Sequence, residues 1–292
     1  METESVSGHL RFLIIDGYPP RSRDALAQAG MKLAWELYAE MLLQHVPDAV
    51  YDVLLPSDPG VECPSADLIE KYAGIIWTGC NLSINDTENP SVSGQIRLAK
   101  DAYAVGVPSF GSCWGLQMAV VAAGGQVRPN PRGREMGLAR KIHLTAQGCR
   151  HPMFEGKPRV FDGFISHDDM VTKMTPECLH LAGNSFTSVQ AVAVTHKAGT
   201  FWATQYHPEY NLHEMARLIV AREKKLIKYG FFRGREDMME LVRRMETLAK
   251  EPGRKDLRWQ LAIDDDVLCD SIRQCEFVNW INKLVVPTAG RS

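Results

Sequence analysis

The feature that most constrains this chain is a five-residue turn. Gly111-Ser112-Cys113-Trp114-Gly115 sits between an apolar run, Val105–Gly111, and an apolar helical pattern over 114–123. A strand that reverses into a helix within so few residues forces its central residue into a strained conformation, and the flanking glycines relieve the crowding. The spacing G-x-C-x-G therefore predicts a cysteine lifted above a sheet edge. The helix behind it would present N–H groups and its positive dipole end to the sulfur, favouring thiolate. A buried, inert cysteine in a glycine-rich turn is the alternative from these residues alone.

Around this turn the chain alternates short apolar runs with helical patterns. Phe12–Ile15, Asp52–Leu55 and Gly74–Trp77 read as buried strands, and 23–45 and 91–104 read as helices. Such alternation predicts an α/β fold with an open, mostly parallel sheet flanked by helices. After Gly125 the pattern shifts to short strands at 139–145, 159–165, 179–183, 189–195 and 200–206, an antiparallel or mixed continuation of the sheet. From 211 onward it is helical: 211–229, 235–250, and an apolar pattern from Val267 that follows Asp264-Asp265-Asp266, acids suited to a helix start. The predicted division is a catalytic domain over 1–212 and a C-terminal helical extension over 213–292 packed on it. The Met238, Met239, Leu241, Val242, Met245 and Leu248 stripe reads as core or as a homo-oligomer interface. Arg132, Arg134 and Arg140 read as solvated surface.

Composition narrows the classes. Apolar residues make up 45% of the 292 and charged residues 23%, which excludes a disordered or fibrous chain. With 33 basic and 35 acidic residues, the net charge of −2 argues against a general nucleic-acid or polybasic membrane binder. Seven cysteines without framework spacing predict reduced thiols and no metal site. No signal-peptide pattern or membrane-length apolar run is present, so the expectation is a cytoplasmic protein.

A second segment supplies what a nucleophilic cysteine needs. Thr200–Tyr206 reads as a strand running into His207-Pro208-Glu209. In extended chain, positions i and i+2 face the same side, and proline holds the preceding residue extended. His207 and Glu209 can then serve one site, the carboxylate fixing the ring and the other nitrogen facing Cys113.

Together, Gly111–Gln117 and, about ninety residues on, Gln205–Glu209 closely resemble the class I (triad) glutamine amidotransferases, most of all their GMP-synthase-like branch. Further segments fit: Ile75–Cys80 in place of the oxyanion strand, Glu135-Met136-Gly137, Leu144–Phe154, and Ser166-His167-Asp168-Asp169-Met170-Val171. The resemblance spans roughly 10–212 and implies a flavodoxin-like three-layer sandwich.

It implies Cys113 as nucleophile, His207 as general base and acid, and Glu209 as the acid that orients it. It further implies the N–H groups of Cys80 and Trp114 as the oxyanion hole, and Gly79, Gln117, His167, Asp168 and Asp169 as substrate-binding. The implied reaction is cleavage of a γ-glutamyl amide through a thioester, without cofactor or metal. Cys80 and Asn81 replace the family's usual Gly or Ser and Pro, which bears on the leaving group. No nucleotide-binding loop follows residue 212. The preferred reading is a stand-alone hydrolase of glutamine or a γ-glutamylated amine. Its alternative is a glutaminase subunit delivering ammonia to a separate synthetase. A cysteine α/β-hydrolase is disfavoured because the acid follows the histidine by two residues. A non-catalytic binding protein is disfavoured by the intact Cys113, His207 and Glu209.

Overall fold

A computed structural model describes residues 9–290. Nine strands form one sheet in the order β2-β1-β3-β4-β11-β10-β9-β6-β7. The parallel half holds β1 (Arg11–Ile15), β2 (Val50–Leu54), β3 (Gly74–Trp77), β4 (Ser109–Ser112) and β11 (Gly199–Thr204). The antiparallel half holds β10 (Ala191–His196), β9 (Cys178–Gly183), β6 (Glu135–Leu144) and β7 (Val160–His167). β5 (Gln126–Pro129) and β8 (Asp169–Lys173) pair as a separate ribbon. The sequence reading missed both, because these short runs, Gln-Val-Arg-Pro and Asp-Met-Val-Thr-Lys, mix polar with apolar residues and carry little apolar signal.

The helices are α1 (Pro20–Gln28), α2 (Ala34–His45), α3 (Ala66–Ile69), α4 (Pro90–Val105), α5 (Trp114–Ala122), α6 (Leu212–Ala221), α7 (Glu223–Lys228), α8 (Arg235–Lys250), α9 (Lys255–Leu261), α10 (Asp265–Leu268), α11 (Asp270–Arg273), α12 (Cys275–Trp280) and α13 (Val286–Ala289). The single helix expected over 23–45 is two, broken at Gly30, whose φ of 82° a side chain resists. The expected 211–229 helix is likewise split at Arg222.

Alternation along β1 sets the layers. Leu13 and Ile15 pack with residues of α4 and α5 on one face. Phe12 and Ile14 pack on the other with Tyr38, Met41 and Leu42 of α2 and Phe277 and Trp280 of α12. The C-terminal helices thus share the sheet's own core. Gly74 has no side chain because the Trp280 ring lies where a Cβ would stand, at 2.8 Å. Met238, Val242, Met245 and Leu248 of α8 are buried against α6 residues, so this stripe is core within the chain.

Registry at the strand ends positions the site. Trp77 of β3 and Thr204 of β11 flank Gly111 and Ser112 of β4. The residues that follow these three strands therefore emerge together at the carboxyl edge, where open α/β sheets place their ligands.

Candidate active site

Cys113 stands at the β4–α5 junction with φ 51° and ψ −91°, a backbone conformation costing an L residue about 1–3 kcal/mol. Surrounding contacts hold it there. Its N–H donates to the Thr204 carbonyl at 2.7 Å, and its carbonyl accepts from the Gln117 N–H at 3.2 Å. The glycines are sterically required. A Cβ on Gly111 would lie 2.8 Å from the Gly115 Cα, and one on Gly115 would lie 3.0 Å from the Trp77 carbonyl oxygen.

His207 and Glu209 are both buried. β11 ends at Thr204, so the pair is brought together by a turn rather than by the extended strand end expected from the sequence. His207 Nδ1 donates to Glu209 Oε1 at 2.7 Å. The Tyr210 ring stacks on the imidazole at 4.1 Å between centroids, and Gly79 leaves room for it, since a Cβ there would meet His207 Cε1 at 2.9 Å. Ser112 Oγ donates to the same Glu209 oxygen at 2.9 Å. Nε2 is buried without a hydrogen-bond partner among the described residues, which leaves it for the thiol. Burial opposes a charged ring, but the Glu209 carboxylate and the Cys113 thiol outweigh it and raise His207 to about 10.

Cys113 opens onto a cavity of about 140 Å³ lined also by Tyr18, Cys80, Gln117, Arg134, His167, Asp168, Asp169, Arg222 and Lys225 among others. The Cys80 N–H has no acceptor among the described residues. The Trp114 N–H is the first of α5 and has no intrahelical acceptor. Both are available to a developing oxyanion. The Trp114 side chain is structural, its Nε1 donating to Gln95 at 2.9 Å. Gly79 does not line the cavity; it borders the His207 ring.

The 166–169 loop is held from behind. The His167 ring turns from the cavity, with Nδ1 at 2.7 Å from the Asp169 carbonyl and Nε2 at 3.1 Å from Glu135. Glu135 also accepts from Asn184, Thr187 and Gln190. Burial alone would raise its pKa, but the His167, Asn184 and Thr187 hydrogen bonds lower it. The Ser166 carbonyl lies 3.9 Å from the Cys113 sulfur. Asp168 accepts from Arg134 at 2.6 Å and Lys225 at 2.7 Å. Against its burial, Lys225 and Arg134 lower its pKa. Arg134 corrects the sequence reading: its side chain is only 6% exposed and belongs to the cavity wall. Arg140 is an exposed surface residue as expected, and it bonds Asp162 and the Leu261 and Ala262 carbonyls.

Sequence reasoning missed Ser112, Tyr210, Tyr18, Arg222 and Lys225. The first two were findable as neighbours of the motifs; the others reach the site only through tertiary contacts. Among the described residues no cluster of three or more potential metal ligands occurs, and no helix is long and apolar enough to cross a membrane.

A strained cysteine elbow backed by a histidine–carboxylate pair, at the carboxyl edge of an open α/β sheet, has the form of a thiol-nucleophile hydrolytic centre. The model of the glutamine amidotransferase class-I family matches residues 65–225, and the chain belongs to that family. Among relatives, it is 31% identical to a γ-glutamyl-L-1-hydroxyisopropylamide hydrolase from Pseudomonas sp. over 97% of this chain and 95% of that one. It is 33% identical to the glutamine-hydrolysing GMP synthase of Thermosipho africanus over 59% of this chain but only 30% of that enzyme's length. The fold matches a glutamine amidotransferase from Thermotoga maritima with a TM-score of 0.67 at 16% identity, covering 95% of this chain and 99% of that one.

Proposed function

We propose that this chain is a cysteine hydrolase of a γ-glutamyl amide that releases glutamate without a synthetase partner. The observation that carries the reading is the end-to-end match to a γ-glutamyl amide hydrolase, covering the C-terminal helices as well as the family segment. In this reading the Cys113 thiolate attacks the γ-carbonyl carbon while the Cys80 and Trp114 amides hold the oxyanion. The C–N bond breaks, His207 donates its proton to the leaving amine, and a γ-glutamyl thioester remains. Water gives a proton to His207, attacks the thioester carbonyl and releases glutamate and the thiol. Glu209, fixed by Ser112, orients the ring throughout. Residues 1–212 form the catalytic unit and 213–292 an extension that shares its core.

The partial matches to GMP synthases favour a second reading, a glutaminase subunit passing ammonia to a separate synthetase. Glutamate release by the purified chain decides between them, measured with glutamine and with γ-glutamyl alkyl- and arylamides, and with Cys113→Ser as control. Fast Cys113-dependent release from substituted amides supports the hydrolase. Slow cleavage of glutamine alone supports the subunit.

A further inference from the structure

Two opposite charges in the cavity have no partner. Arg134 and Lys225 both bind Asp168 and are accounted for. Arg222 makes no ion pair or side-chain hydrogen bond among the described residues, and its Nε is buried and unsatisfied. The Asp169 carboxylate likewise has neither among them. Leaving a partly buried guanidinium and a half-buried carboxylate unpaired is costly unless a ligand completes both. In all, the cavity's side chains carry three cations, Arg134, Arg222 and Lys225, against two carboxylates, Asp168 and Asp169, so the site has room for a ligand's anionic group.

Arg222 sits at the α6–α7 break, in the segment that sequence reading assigned to a structural extension. The guanidinium lines the same cavity as the Cys113 sulfur and the Tyr18 ring.

We propose that Arg222 binds the α-carboxylate of the γ-glutamyl group while Asp169 meets its α-ammonium. Arg222 is thereby a specificity-determining residue that restricts the site to amides of glutamate with a free α-carboxylate. This inference rests on the γ-glutamyl reading above. A guanidinium matches a carboxylate through paired N–H donors, whereas a neutral leaving amine has no use for one. The Asp168 bridge to Lys225 anchors the start of α7 to the 166–169 loop, so the two unpaired charges face one ligand from two elements.

The test uses the full chain as wild type, Arg222→Gln and Arg222→Lys. The first readout is the rate at which iodoacetamide modifies Cys113, followed by peptide mass spectrometry. L-Glutamate protects in one arm and γ-aminobutyrate, which lacks the α-carboxylate, in the other. The second readout is hydrolysis of a γ-glutamyl anilide and of its 4-aminobutyryl counterpart. R222Q is expected to need about 10–100-fold more glutamate for protection and to raise KM for the glutamyl anilide by the same factor, kcat staying within about threefold. Protection by γ-aminobutyrate and turnover of its anilide should change little, and R222K should fall between. Equal weakening toward both ligands, or no change in either, overturns the proposal. If R222Q does not fold, as judged by its circular dichroism melt, R222K decides on the same ratio. Arg222-dependent protection without any amide hydrolysis upholds the carboxylate site and refutes the hydrolase reading. Amide hydrolysis without protection by glutamate refutes the Arg222 assignment and leaves the hydrolase reading standing.

Discussion

The reacting corner and the recognition wall of the same cavity are built in opposite ways. The corner is local: Ser112, Cys113 and Trp114 are consecutive, and His207, Glu209 and Tyr210 lie within four positions. Backbone strain, two glycines and one parallel register bring these two segments together. The wall is dispersed: Tyr18, Arg134, Asp168, Asp169, Arg222 and Lys225 come from four parts of the chain, and Arg134, Asp168 and Lys225 are joined by ion pairs. In the proposed reading, chemistry depends on backbone geometry, and selectivity on side-chain charges carried in by neighbouring elements.

The largest expected effect breaks the corner. Cys113→Ser should lower kcat for amide cleavage by at least about 10⁴-fold with KM little changed, because the attacking atom is lost. Single-turnover assays check it, and activity within tenfold of wild type would remove the nucleophile assignment. Glu209→Gln should cost about 10²–10⁴-fold in kcat. With its carboxylate partner gone, burial dominates and the His207 pKa falls from about 10. A raised histidine pKa stabilises the fold fully below about pH 6.5, and that contribution is lost as pH rises through about 10. Urea unfolding of the wild type should therefore weaken across this window, and E209Q should flatten the slope. An unchanged slope would mean that Glu209 does not set the charge of the ring.

The next prediction tests how firmly the C-terminal helices support the corner. Glu276 of α12 is fully buried and binds Lys157 Nζ at 3.0 Å and the hydroxyl of Tyr206, the residue before His207. Glu276→Ala should cost about 3–5 kcal/mol, since it strands a buried ammonium. Equilibrium unfolding measures it, and a loss below 1 kcal/mol would show that the helix is dispensable. Gly111→Ala should follow at about 1–3 kcal/mol, because its Cβ would collide with the elbow backbone. The smallest effect belongs to the wall. Asp168→Asn should raise KM by roughly 3–10-fold with kcat nearly unchanged, by loosening Arg134 and Lys225. A fall in kcat alone would place Asp168 in the chemistry instead.

Legibility in the sequence follows the same divide. The parallel strands were readable because a strand buried on both faces must be continuously apolar, as in Phe12–Ile15 and Gly74–Trp77. The break at Gly30 was not, because the apolar spacing continues across it. β5 and β8 were invisible because each is short and mixes polar with apolar residues.

Cys113, His207 and Glu209 stood out as candidates because their requirements are local: glycines beside a forced turn, and an acid two residues beyond its histidine. That the last pair meets through a turn, with Ser112 and Tyr210 steadying it, needed the structure. The sequence by itself determined the α/β framework, the elbow and the candidate reacting residues, since steric limits and side-chain periodicity act over a few neighbouring positions. Only the tertiary structure decided that Arg134 is wall rather than surface and that Arg222 borders the cavity. It also decided that Trp280 lies under the central sheet. A charged or aromatic residue becomes cavity wall or core through what packs against it, and those partners lie tens to hundreds of residues away.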